Sequence, residues 1–295
     1  MTEEEELAHR ELTNRTFYKA EQEAGFVESH PQTTPQQQSA SYRLAFRDTD
    51  FLLREELRPV RFQLELLKPE MLLEEAGVGS TLVMYGSARI PAPDKAQDLL
   101  AAAVTPEQQA VAERLAAKAK YYEEARKLAF MAGRCAVFED GKRQFVVCSG
   151  GGPSIMEAAN RGAAEAGAES IALNIVLPHE QAPNPYVTPD LSFQFHYFAL
   201  RKMHFLLRAR AVAVFPGGFG TFDEFFELIT LIQTGKMKPI PVLLFGAEYW
   251  NKVVNFRAIA EEGVISFEDL DLFHMVEDAE DAWRHIVEFY GIDCD

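Results

Sequence analysis

The sequence predicts an α/β protein: a Rossmann-like, doubly wound and mostly parallel sheet with helices on both faces. Three observations carry this reading. From about residue 80 onward, short apolar runs alternate with stretches of helical periodicity, the order produced when each parallel strand returns through a crossover helix. Three of those runs end in glycine-rich or polar turns: Gly86-Ser87, Gly150-Gly151-Gly152 and Gly217-Gly218-Phe219-Gly220-Thr221. Finally, 47% of the 295 residues are hydrophobic, enough for a core of ordinary size.

Taken in order, strands are expected at 81–85, 145–148, 170–177, 193–197, 211–215, 241–245 and 273–276. Helices are expected at about 107–132, 154–166, 200–210, 222–233, 250–262 and 279–290. Residues 80–295 therefore form the predicted Rossmann-like domain. Ahead of it, residues 1–45 read as an extension: a charged segment of helical character to about residue 28, then a polar linker at 30–39 whose composition suits a flexible chain. Residues 46–79 read as a helical appendage. Leu and charged residues alternate there with helical spacing, and Pro59 and Pro69 divide it into two or three short helices.

Charge and cysteine usage limit the function classes. Lys plus Arg number 29 against 45 Asp plus Glu, a net charge of −16. So acidic a surface repels phosphate backbones, which argues against nucleic-acid partners, although a local site can still hold a single nucleotide. Cys135, Cys148 and Cys294 are isolated thiols with no paired spacing, pointing to a reducing, cytoplasmic compartment and away from disulfides or zinc. The N-terminus lacks the pattern of a signal peptide, and no apolar stretch approaches a membrane span.

In a parallel sheet the three glycine turns fall on one edge, the edge at which open α/β sheets bind ligands. Glycine lets backbone approach an anion, and the helix that follows offers unpaired N–H groups and a positive dipole end. Gly86, Ser87 and Arg89 from the first turn, Gly150, Gly151 and Gly152 from the second, and Gly217, Gly218, Gly220 and Thr221 from the third are thus candidates for phosphate binding. None of the turns completes a dinucleotide fingerprint or a P-loop.

Glu224 has two readings. Thr221-Phe222-Asp223-Glu224 satisfies the capping-box pattern, and the same carboxylate would stand one turn from the phosphate cradle. Asp223 lies about 100° further round the helix and cannot face the same ligand. Arg201-Lys202 is either a solvated basic pair or a pair placed beside a strand end to meet an anion. Glu157 either contacts ligand or complements its helix dipole. His179, His196 and His204 have no metal-ligand spacing, and Gly-Pro-Ser154-Ile is not a nucleophile elbow.

These motifs occur together in a known order. Val83 to Arg89 (VMYGSAR), Tyr121 to Ala129 (YYEEARKLA), Ser149 to Gly162 (SGGGPSIMEAANRG), Arg201-Lys202-Met203 and Pro216 to Glu224 (PGGFGTFDE) resemble the LOG ("Lonely Guy") family, long labelled lysine decarboxylases. The resemblance spans about residues 80–290. The segments at 174–181, 231–236 and 249–250 look like its longer bacterial branch. One departure is Ser154, where relatives commonly carry glycine.

The resemblance implies hydrolysis of the N-glycosidic bond of a purine nucleoside 5′-monophosphate, AMP or a cytokinin riboside 5′-monophosphate, giving free base and ribose 5-phosphate. It places Arg201 and Glu224 at the catalytic positions and the 217–221 loop at the phosphate. It calls for no metal and no organic cofactor, and it implies a homodimer or an assembly of dimers. A non-catalytic nucleotide or molybdenum-cofactor carrier of the same fold is the alternative. A pyridoxal-dependent decarboxylase would need a lysine in these loops, and they contain none.

Overall fold

The computed structural model describes residues 17–178 and 182–294. The helical character expected of the first sixteen residues, and His179 with Glu180 and Gln181, lie outside them. The chain divides into two compact units, Met1–Gln63 and Leu64–Asp295.

In the first unit a helix runs over Ala20–Ser29. The segment expected to be a flexible linker instead holds a helical turn, Pro35–Gln38. Its ends explain it: Thr34 accepts the Gln37 N–H, Gln37 reaches back to the Thr34 N–H, and Pro35 opens the turn. A composition argument does not see a capping box.

A short helix, Thr49–Leu52, precedes helix α1, Arg58–Glu75, which runs through both Pro59 and Pro69, the residues expected to divide this stretch. Pro59 lies in its first turn, where a missing N–H costs nothing. Pro69 lies inside it and leaves the Glu65 carbonyl without its usual i+4 donor. The helix continues because Pro69 is buried and that carbonyl finds another donor, described below.

The larger unit is a seven-stranded sheet, all pairs parallel: β1 Thr81–Tyr85, β2 Val146–Ser149, β3 Ser170–Ile175, β4 Ser192–Phe195, β5 Ala209–Val214, β6 Val242–Phe245 and β7 His274–Val276, ordered β4-β3-β2-β1-β5-β6-β7. Successive side chains separate into two cores. Leu82, Met84, Val147, Ala211, Ala213, Leu243 and Phe245 face one layer, while Val83, Tyr85, Cys148, Val212, Val214 and Leu244 face the other. Strands buried on both faces read as unbroken apolar runs, which is why they were visible in the sequence.

The first layer contains α3 (Ala119–Cys135), which follows the more exposed α2 (Pro106–Ala116), with α4 (Ile155–Glu165) and α9 (Ala279–Tyr290). The second contains α1, α5 (Phe198–Leu207), α6 (Phe219–Gln233), α7 (Ala247–Val253) and α8 (Phe256–Glu261). Two expected helices are split. The one at 107–132 breaks at Ala117-Lys118, where neither proline nor glycine marks the sequence, and the one at 250–262 breaks at Val254-Asn255, where Asn255 caps a new start. The expected 200–210 helix ends at Leu207, and Ala209 already begins β5.

Gly162 sits where α4 meets α3, and a Cβ there would run into the Arg126 carbonyl oxygen and come 2.9 Å from the Ala129 Cβ. Backbone cannot move aside like a flexible side chain. Gly162→Ala should therefore lower stability by about 1–3 kcal/mol despite alanine's better helix propensity. Urea unfolding would show it, and an unmoved midpoint would disprove the tight approach.

Cys135 and Cys294, expected to be isolated thiols, form a disulfide with Cα atoms 5.1 Å apart. They stand 159 positions apart in sequence, so no local spacing could reveal the pair. Cys148 is free, and burial raises its thiol pKa. No helix among the described residues is long and apolar enough to cross a membrane.

Candidate functional site

The strand order reverses at β1, so the crossover from β4 must return to the far side of β1 and pair as β5. A crevice opens between the C-terminal ends of strands at such a switch point. The turns after β1 and β5 meet there, joined by the Ser87 N–H donating to the Pro216 carbonyl at 3.1 Å. The turn after β2 joins them through the Ile155 N–H and the Ser87 carbonyl, 3.4 Å apart. Together they wall a cavity of about 970 Å³.

Ten of the sequence-nominated residues line it: Gly86, Ser87, Arg89, Gly150, Gly152, Arg201, Gly218, Gly220, Thr221 and Glu224. Four do not. Gly217 turns its carbonyl to the Tyr249 hydroxyl, and a Cβ on it would strike Thr221. Gly151 has φ +75°, a conformation suited to glycine, and its carbonyl accepts from both the backbone and side-chain N–H groups of Asn184. These two glycines shape the turns rather than face the cavity. Glu157 accepts a hydrogen bond from the Tyr122 hydroxyl at 2.9 Å. Lys202 is held on the other side of its helix by Asp223 and Glu227, each at 2.9 Å.

Helix α6 begins at Phe219, three residues before the expected start. Thr221 is therefore already inside the first turn, Gly218 is the cap residue, and no Thr221–Glu224 capping box forms. With that role gone, Glu224 is free to face the cavity. The N-terminal turn of α6 presents Gly218, Phe219, Gly220 and Thr221 to the cavity, an arrangement that suits an anion.

Arg201 and Glu224 meet at the cavity floor, Nη1 to Oε1 3.4 Å, with side chains 11% and 14% exposed. The guanidinium is fixed on three sides. Its Nε donates to the Leu173 carbonyl at 2.7 Å, its plane lies 5.0 Å from the Phe205 ring, and its Nη2 occupies space that only glycine leaves at position 150. Burial pushes the Glu224 carboxyl up to about 7, aided by Asp223 and resisted by Arg201 and Lys202. A carboxylate poised near neutrality beside a fixed cation can hold a sugar or phosphate oxygen and exchange charge with the reacting centre.

Sequence reasoning missed the apolar part of the wall: Met156, Ile175, Leu177, Phe198 and Phe219, together with Asn174. It also missed the buried amides behind the second turn. The Ser149 hydroxyl and the Asn184 side-chain amide both donate to Asn160 Oδ1, at 2.7 and 2.9 Å, and Asn160 donates to the Ser170 hydroxyl at 3.0 Å. The Asn160 in the α4 helical pattern was the available signal. Ser154 has φ +69°, the conformation that would explain glycine there in relatives; its hydroxyl donates to the Ile90 carbonyl and does not cap α4. Among the described residues, no three His, Cys, Asp or Glu side chains gather as metal ligands would.

Residues 156–286 match the family model described as "Possible lysine decarboxylase". No curated protein matches the chain. Among solved structures it is similar to TM1055, a structural-genomics target, at 18% identity and a TM-score of 0.44, covering 71% of this chain and 99% of that one. It is also similar to the molybdenum cofactor carrier protein of Chlamydomonas reinhardtii, at 18% identity and a TM-score of 0.41, covering 72% of this chain and 99% of that one.

Proposed function

We propose that the chain, whose residues 156–286 match the family model described as "Possible lysine decarboxylase", is a LOG-type protein that hydrolyses the N-glycosidic bond of a purine nucleoside 5′-monophosphate. The observation that carries the reading is the Arg201–Glu224 pair on the floor of a cavity rimmed by glycine turns and a helix N-terminus. The phosphate would lie against the α6 N-terminus, where N–H groups and the helix dipole favour an anion. Arg201 would hold ribose or phosphate oxygens, and the base would lie toward Met156, Leu177 and Phe198.

Cleaving the C1′–N bond leaves positive charge on the ribose, and the bonding electrons leave with the base. Ionised Glu224 stabilises that charge and orients the water that adds to C1′. The water's proton and the base's new proton balance, leaving adenine and ribose 5-phosphate from AMP. Among the described lining residues Glu224 is the single carboxylate, so the arrangement differs from the two-carboxylate glycosidases.

Because this role needs the ionised form, kcat/KM should fall about tenfold per pH unit below the Glu224 pKa of about 7 and level off above it. A pH-independent rate between 5 and 8 would remove Glu224 from the chemistry. A Schiff-base decarboxylase would need a neutral lysine. Burial lowers the Lys202 pKa, but its bonds to Glu227 and Asp223 outweigh burial and leave it above the ordinary value.

The reading is tested by incubating the protein with AMP and with an N6-prenylated riboside monophosphate and separating the products. Free base with matching ribose 5-phosphate supports it, and tight binding of nucleotide without release of base supports the carrier instead. The same reading has the protein act as a homodimer or an assembly of dimers. Phe219 and Phe198 stand 95% and 54% exposed at the cavity rim, apolar surface that a second copy would cover. Sedimentation should give twice the 33.2 kDa chain mass or a multiple of that, and a monomer at micromolar concentration would contradict it.

A further inference from the structure

We infer that Glu65, on helix α1, is a positioning residue for Arg201, which makes this helix part of the catalytic apparatus. The inference rests on the nucleosidase reading for its kinetic arm alone. Helix α5, which carries Arg201, follows β4 after a two-residue turn, and its cap residue Tyr197 makes no side-chain cap bond of its own. The Glu65 carboxylate supplies what is missing. One oxygen accepts the His196 N–H at 2.9 Å and the other the Tyr197 N–H at 3.2 Å. Both oxygens of one carboxylate thus fix two successive peptide groups, and the negative charge stands at the positive end of α5.

The same residue holds α5 a second time, about two turns further along it. Pro69 has no N–H to give the Glu65 carbonyl, and His204 Nε2 lies 3.0 Å from that oxygen. A carbonyl can only accept, so Nε2 carries the proton. His204 is buried at 5% exposure, so an unmet carbonyl here would be costly. The proline within α1 thereby creates the acceptor that the histidine uses.

Arg201 lies between these two anchors. Its own N–H donates to the Tyr197 carbonyl at 3.1 Å, so Tyr197, whose N–H Glu65 pins, is also the residue from whose carbonyl Arg201 hangs. Its guanidinium must reach Leu173, Phe205 and Glu224 together, and a small rotation of α5 about its axis would break that set. No catalytic motif in the sequence points to Glu65, which is 136 residues from Arg201 and in a helix that reads as an appendage.

The test compares full-length wild type, Glu65→Ala and Glu65→Gln. Glutamine keeps one acceptor oxygen for one of the two N–H groups and drops the charge. Hydrogen exchange at the 196 and 197 amides should quicken at least ~10-fold in Glu65→Ala, with β1 and β5 amides unchanged. AMP hydrolysis should fall at least ~30-fold in kcat/KM in Glu65→Ala and recover to within ~5-fold of wild type in Glu65→Gln. Unaltered exchange at 196 and 197, or equal activity in all three proteins, would overturn the inference. If wild type releases no base, the nucleosidase reading fails while the exchange data still decide whether Glu65 pins α5. If Glu65→Ala does not fold, the glutamine variant's exchange and rate, intermediate or unchanged, decide it.

Discussion

Glu224→Gln should lose about a thousandfold in kcat for base release from AMP while becoming the more stable protein above pH 7. Glutamine keeps the shape and removes the charge that the developing ribosyl cation needs. The stability change follows from the direction of the pKa shift. The carboxyl titrates near 7 in the folded protein against 4.5 as its ordinary value, so between those pH values the folded state retains a proton that the unfolded chain has released. Wild-type stability therefore falls through that window, and the cost of ionising Glu224 is fully present above it. The shift alone corresponds to at most about 3 kcal/mol. That figure already includes the attraction of Arg201 and is an upper bound, so the net gain at pH 8 is expected at about 1–2 kcal/mol. At pH 4.5 the gain should vanish. Urea unfolding at the two pH values measures it, and a variant less stable than wild type at pH 8 would mean that Glu224 contributes to folding as an ordinary ion pair.

Arg201→Lys should cost about a hundredfold in kcat/KM, although charge is conserved. A single ammonium cannot bond the Leu173 carbonyl, lie over Phe205 and reach Glu224 at once, as the guanidinium does. Arg201→Met should cost more and also change the pH profile. Arg201 is the first of the charges that hold the Glu224 pKa down, so without it the acidic limb should move upward from about 7. An unmoved limb in the methionine variant would mean that the two side chains do not share a site in solution.

Much of this was legible in the sequence because parallel strands buried on both faces and glycine turns before helices leave strong local marks. β1, α4 and α9 fall where their apolar patterns place them. The glycine turns located the cavity edge, and the family motifs singled out Arg201 and Glu224. What the sequence hid depended on the third dimension. Lys202 adjoins Arg201 in the chain, but one residue along a helix is about 100° of rotation, enough to turn it to Asp223 and Glu227. The capping-box pattern at Thr221 was genuine as a pattern, yet α6 starts earlier because Gly218 can open it. The Cys135–Cys294 bond and the Glu65 contacts join residues far apart in sequence, where no periodicity reaches.

The most direct test of the central claim, that Arg201 and Glu224 form a nucleoside-monophosphate hydrolase centre, is to quantify adenine and ribose 5-phosphate formed from AMP by wild type and Glu224→Gln at equal bound nucleotide. Many turnovers in equal amounts of the two products by wild type, with nearly none by the variant, is the expected result. Saturated nucleotide binding with no adenine from wild type, or equal turnover by both proteins, would contradict it.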